Sequence, residues 1–193
     1  ESRELGSLTA ADEGGWYRVQ GRVVAMTGLK GGMKATLDDG TGQIFLLIWD
    51  SVYDALPEPQ ALDVGAEVEV EGEIQLYEGD LELVPEQPED IRIQVAAPES
   101  PWVEVSTLSG LDAGRVVRLR GVLGEPQAFS AGIKAPLDDG TGTITVLLWS
   151  NVAEVLEPPP AGGLLVEVVG EISLYRDELE IIPRSRHDWR PEP

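Results

Sequence analysis

Two kinds of chemistry are legible in this chain. The first is the hexapeptide LDDGTG, which occurs at residues 37–42 and again at 137–142. Its paired carboxylates, Asp38–Asp39 and Asp138–Asp139, are oxygen ligands of the kind a hard cation takes. Adjacent residues on a strand point to opposite sides, however, so one pair makes no cage. A tight turn is the simpler reading, because Asp and Gly supply the backbone angles that hairpins need. The second is a set of cations and aromatic rings at alternating positions. Arg18, Arg22, Lys34, Phe45 and Trp49 form it in the first half, and Arg118, Arg120, Lys134 and Trp149 in the second. Cations meet phosphates and flat rings stack on bases, which is the chemistry of a single-stranded polynucleotide site. Stacking suits a sugar ring equally well. Catalytic chemistry lacks its parts. The one histidine, His187, lies in an Arg- and Pro-rich tail, and no nucleophile–base set or phosphate-loop motif is present.

These side chains need strands to hold them. The apolar period is mostly two, and it predicts strands near 16–26, 33–38, 43–49 and 66–77, with a fifth from about residue 80. LDDGTG then joins the second strand to the third. DSVYDALP follows the third strand as a short helix, for which Asp50, or Ser150 in the second half, is the expected cap. Gly21 and Gly121 sit inside the long first strand and suggest a bulge. Alternation turns Ile44, Leu46 and Ile48 to the core with Met33, Ala35 and Leu37. It turns Lys34, Phe45 and Trp49 outward, together with Arg18 and Arg22 of the first strand. Other readings of the same residues compete. Trp49 and Trp149 end their strands and could cover a barrel end, and Lys34 and Lys134 could pair with Asp38 and Asp138. The loop TGLKGGM adds Lys30, and its partner GEPQAFSAG adds Phe129. Tyr77 and Tyr175 follow the fourth strand as packing residues or stacking platforms.

The whole unit is written twice. Gly14, Arg18, Gly21, Lys34, Ala35, Trp49, Val52 and Leu56 recur 100 residues later. After a two-residue deletion, Gly72, Glu73, Ile74, Leu76 and Tyr77 recur 98 residues later. Two copies of one fold are expected at about 1–97 and 98–193, joined near AAPESP. Each is long enough to bury a workable core.

Charge bears on partners. The chain carries 35 acidic residues against 14 Lys plus Arg, a formal net charge of −21. That balance repels polyanions at long range and argues against a wide nonspecific nucleic-acid surface. The first copy holds 20 acidic and 6 basic residues, the second 15 and 8. The second is therefore the better polyanion binder, with Arg176, Arg184, Arg186 and Arg190 late in the chain. In the fourth strand, Glu67, Glu69, Glu71 and Glu73 share one face, which reads as a solvated edge or as a surface for a basic protein partner. There is no cysteine, hence no disulfide or thiolate chemistry. Its absence fits an extracytoplasmic protein. No apolar run approaches the roughly 20 residues of a membrane span.

GRVV, a glycine-containing loop, KATLDDGTGQIFLLIWDSVYDAL and VEVEGEIQLYEGDLELV together resemble the oligonucleotide/oligosaccharide-binding (OB) fold. More narrowly they resemble the nucleic-acid-binding OB domains attached to bacterial nucleases and DNA-processing proteins. GVLG, KAPLDDGTGTITVLLWSNVAEVL and VEVVGEISLYRDELEII carry the same resemblance in the second half. It implies an all-β protein of two tandem five-stranded barrels, each with a short helix between strands three and four. It also implies a binding module without cofactor, whose outward face holds single strands with low sequence preference and strong salt dependence. A protein-interaction or spacer module of a larger protein and an oligosaccharide binder are the competing expectations.

Overall fold

The computed structural model describes residues 2–192, which fall into two compact units, Glu1–Glu99 and Ser100–Pro193. The first unit contains β1 (Trp16–Leu29), β2 (Gly32–Asp38), β3 (Gln43–Trp49), α1 (Asp50–Tyr53), β4 (Glu67–Tyr77), β5 (Asp80–Val84) and β6 (Ile91–Val95). Five strands close a ring. β1 pairs with β2 and β4, β2 with β3, β5 with β4, and β3 runs parallel to β5. This is the barrel that the resemblance implies. A sixth strand was not expected. β4 is 11 residues long, enough to serve β6 as well as β1 and β5.

The second unit repeats the ring with β7 (Val116–Leu123), β9 (Gly132–Asp138), β10 (Thr143–Trp149), α2 (Ser150–Ala153), β11 (Leu165–Tyr175) and β12 (Glu178–Ile182). It adds β8 (Gln127–Phe129) and β13 (Trp189–Pro191), so seven strands replace the expected five. The reason is local. Pro136 stands where the first unit has Thr36, and it has no N–H to give the first strand. The β7–β9 ladder stops after Val122 and Leu123, and the chain resumes as β8 after Gly124, Glu125 and Pro126. In the first unit β1 runs unbroken along β2 to Leu29.

Alternation fills the cores as expected. Val19, Val23, Ala35, Leu37, Ile44, Leu46, Ile48, Val68, Val70 and Ile74 are buried together, with Val52 and Leu56 sealing one end. Full burial of one such side chain is worth roughly 1.5–3 kcal/mol. The strand irregularity lies at residues 23–25, not at Gly21. Gly21 and Gly121 instead mark close approach, since a Cβ there would meet the Asp38 or Asp138 carbonyl oxygen at 3.2 or 2.5 Å. Asp50 and Ser150 begin their helices, while Trp49 and Trp149 hold the cap position in extended backbone.

LDDGTG is a turn that also clamps the chain entering each unit. Gly40 and Gly140 take φ of 83° and 85°. The Thr41 amide and hydroxyl and the Gly42 amide donate to Asp39 Oδ1 at 2.8, 2.7 and 3.1 Å, and the Leu5 amide donates to Oδ2 at 2.7 Å. Asp139 receives the same four bonds, with Val105 in place of Leu5. Burial raises the Asp39 pKa, but those donors outweigh it and hold the carboxyl at about 2. Asp39→Ala should therefore lower the first unit's stability by about 2 kcal/mol, a fall of roughly 10 °C in Tm. The native pKa lies below the unfolded one, so this stabilisation is full above pH 4 and fades as pH falls toward 2. Urea unfolding at pH 7 and pH 3 checks both statements, because the gap between wild type and variant should narrow in acid.

Candidate functional site

Outward alternation on β2, β3, β5 and β4 brings Lys34, Phe45, Leu47, Glu82, Val84 and Tyr77 onto one surface, with Trp49 at its rim. The rings are open to solvent. Trp49 is 46% exposed and Tyr77 59%, and their counterparts Trp149 and Tyr175 are 43% and 51% exposed. Each indole leaves nearly half of its surface to solvent. Phe129, on β8, sets its edge against Trp149 with ring centroids 6.1 Å apart. Leu47 and Leu147 point outward yet are buried beneath their neighbours. A cleft of about 280 Å³ opens beside Phe45, lined by Thr36, Gln43, Gly79, Asp80 and Leu81. It is at the small end of ligand clefts.

At the centre of each surface lies an ion pair. Lys34 Nζ donates to Glu82 Oε1 at 2.7 Å, and Lys134 Nζ does the same to Glu180. The glutamates are only 5% and 4% exposed. Lys34 also lies 4.0 Å from the centroid of Phe45, and Lys134 lies 5.1 Å from that of Tyr175. The partners are not Asp38 and Asp138. Asp38 accepts from Gly40 N and from Gln43 Nε2 instead. The hydrogen bond from Gln43 and that from the Gly40 amide hold its carboxyl below the usual aspartate range.

The arginines do not join this surface. The β1–β4 register puts Arg18 opposite Glu71 and Arg22 opposite Glu67. The ion pairs follow, at 2.7 Å for Arg18–Glu71 and 2.9 Å for Arg22–Glu67, while Arg92 on β6 holds Glu69 at 2.8 Å. Arg22 faces Asp38, four residues along β2 from Lys34, or roughly 13 Å. The glutamate row read as a solvated edge is thus paired instead, because arginines run beside it. In the second unit Arg118 lies 3.5 Å from Glu167, and Arg120 is bound to Glu192. Lys30, exposed on the β1–β2 turn, and Arg176, beside the Tyr175 ring, make no ion pair among the described residues. Arg176 and Asp177 both have positive φ, 50° and 66°, in the β11–β12 turn.

Glu82 and Glu180 escaped the sequence reading. Their signal is the alternation LEL and LEI in the fifth strand, which turns a lone carboxylate outward between core residues. Among the described residues, no group of three or more His, Cys, Asp or Glu side chains could hold a metal ion. Among the described residues, no helix is long and apolar enough to cross a membrane.

Residues 17–93 match the family model of the OB-fold nucleic acid binding domain. No match is found among curated proteins. Among solved structures, the p204 HINb domain aligns at 12% identity and a TM-score of 0.41, over 90% of this chain and 95% of that one. Asparaginyl-tRNA synthetase from Pyrococcus horikoshii, in complex with asparaginyl-adenylate, aligns at 19% identity and a TM-score of 0.45. That alignment takes in 51% of this chain but only 23% of the synthetase. A replication protein A heterotrimer bound to ssDNA aligns at 19% identity and a TM-score of 0.34, over 42% of this chain and 58% of that one.

Proposed function

We propose, for a chain that is two OB folds in tandem with a nucleic-acid-binding family match over the first, that it binds single-stranded nucleic acid without catalysis. The bases would stack on Trp49, Tyr77 and Phe45 of the first unit and on Trp149, Tyr175 and Phe129 of the second. The single observation that carries this reading is the repetition of open rings around a neutralised lysine on the same face of both barrels. A stacked base is worth roughly 1–3 kcal/mol, and any base offers a ring face, so sequence preference is low.

The mode of binding differs from the sequence expectation in one respect. Lys34, Lys134, Arg18, Arg22 and Arg120 each already hold a carboxylate. A phosphate must displace that carboxylate to be neutralised. Affinity then comes from stacking more than from counterion release, and the salt dependence is shallow. The glutamates Glu67, Glu69 and Glu71 are likewise occupied, which takes away the motive for a basic protein partner on that row.

Fluorescence anisotropy with a labelled oligothymidine tests the reading. Micromolar binding is expected at 50 mM salt, weakened about 10-fold by Trp149→Ala and again by Tyr175→Ala. Absence of binding by the wild-type protein at that salt would remove the reading. A neutral oligosaccharide that quenches the same tryptophans would replace it.

A further inference from the structure

Each barrel carries a groove beside its LDDGTG turn, at the same place in the repeat. Gly21, Asp38 and Asp39 line one, and Gly121, Asp138 and Asp139 line the other. Their chemistry differs. In the first unit the β1–β4 register sets Arg22 opposite Glu67, and the two form an ion pair at 2.9 Å. In the second unit the matching β7–β11 register sets Val122 opposite Leu165. Thr36, on the neighbouring strand, becomes Pro136. A charged pair that water can solvate is thus replaced by an apolar pair, and Val122 is left 47% exposed.

The groove of the second unit measures about 680 Å³, within the range of ligand clefts. Val122, Leu165 and Pro136 give it apolar walls. Pairing between β7 and β9 ends at Leu123, beside these residues. Gly124 follows, where a Cβ would meet the Pro136 ring at 2.5 Å, so only bare backbone passes there. The polar rim is acidic. Asp138 is exposed and accepts from the Gly140 amide at 2.8 Å, whereas Asp38 also accepts from the Gln43 side chain. Thr143 stands in the place of Gln43, so Asp138 Oδ2 is left without a donor among the described residues. Arg120, also in the wall, is bound to Glu192 and adds no net positive charge.

We propose that this groove docks a protein partner through a basic, leucine-rich type of segment: apolar side chains against Val122, Leu165 and Pro136, and a lysine or arginine at Asp138. An open apolar patch rimmed by polar groups marks an interaction surface. Complementarity of charge selects the partner, because the rim offers a carboxylate without a counter-ion on a chain of net charge −21. A polyanion finds repulsion at the same rim. The first unit, with Arg22 and Glu67 paired across its groove, does not share the site. The proposal stands apart from the aromatic faces and survives the loss of nucleic-acid binding.

Fluorescence anisotropy on the full chain tests it with two labelled hexapeptides, one of alternating leucine and lysine and one of alternating alanine and lysine. Both carry the same charge, so any nonspecific attraction to the acidic chain is common to them. The leucine peptide should bind wild type about 10-fold more tightly than the alanine peptide. Val122→Arg/Leu165→Glu installs the first unit's ion pair in the same register. With its Tm unchanged, it should abolish the preference for leucine. Asp138→Asn keeps the acceptor for the Gly140 amide and should weaken the leucine peptide about 3-fold. Equal affinities of wild type for the two peptides, or an unchanged preference in the double variant, would overturn the docking site. Displacement of the leucine peptide by oligothymidine would overturn it in favour of nucleic acid. A wild-type dimer in sedimentation equilibrium that the double variant dissolves would overturn it in favour of a second copy of the chain.

Discussion

Lys34→Met is expected to destabilise the first unit by about 3 kcal/mol, and Lys34→Met/Glu82→Leu to recover most of that loss. The physics is asymmetric. Glu82 is buried, and its Oε1 is held by the Lys34 ammonium at 2.7 Å. Removing the ammonium leaves a desolvated carboxylate without its counter-ion, which is far more unfavourable than losing an exposed ion pair. Removing the carboxylate instead frees a lysine that is a quarter exposed and can turn to water. Glu82→Leu alone should therefore change stability by less than about 1 kcal/mol. Urea unfolding of the three variants completes the cycle, and equal losses from both single changes would contradict it. The same cycle applies to Lys134 and Glu180. It also bears on binding, because an alanine at Lys134 weakens any ligand's hold by disturbing the fold, whether or not the lysine meets a phosphate.

The opposite change at this pair isolates the ligand's contribution. Glu180→Gln should raise affinity for oligothymidine about 10-fold at 50 mM salt. It frees Lys134 for a phosphate and removes a negative charge from the surface. The wild-type slope of log affinity against log salt should be about −0.7 to −1.4, as one or two neutralised phosphates give at roughly 0.7 each on a single strand. The variant's slope should steepen by about 0.7, the share of one further phosphate. Measured slopes of −4 or steeper for the wild type would mean that the carboxylates do not hold the cations against phosphate.

Much of the architecture could be read before any coordinates. Period-two alternation placed β3 at Gln43–Trp49 and sorted Ile44, Leu46 and Ile48 from Phe45 and Trp49, because a strand has only two sides. The repeated turn was recognisable because Asp and Gly carry the same local demand in both copies. Its clamp on Leu5 and Val105 was not, since those amides lie 34 residues away in sequence. Alternation also says nothing about who lies opposite. Arg18 and Glu71 were each read as outward, but only the β1–β4 register makes them partners. Lys34 and Glu82 are further apart still in that sense. They meet across β3, through a parallel β3–β5 pairing that no local pattern announces. Trp102, directly after Pro101 at the joint, carried no periodic signal at all. Its place beside Arg118 comes from an isolated bridge.

The five tryptophans allow the central claim to be tested directly. Indole N–H resonances of the 15N-labelled protein, followed while unlabelled oligothymidine hexamer is added, report each ring separately. Trp49 and Trp149 stand open on the aromatic faces, whereas Trp189 is buried. The Trp49 and Trp149 signals should shift in step with occupancy, and that of Trp189 should stay in place. Saturating hexamer that leaves both Trp49 and Trp149 unmoved would contradict the assignment of these faces to single-stranded nucleic acid.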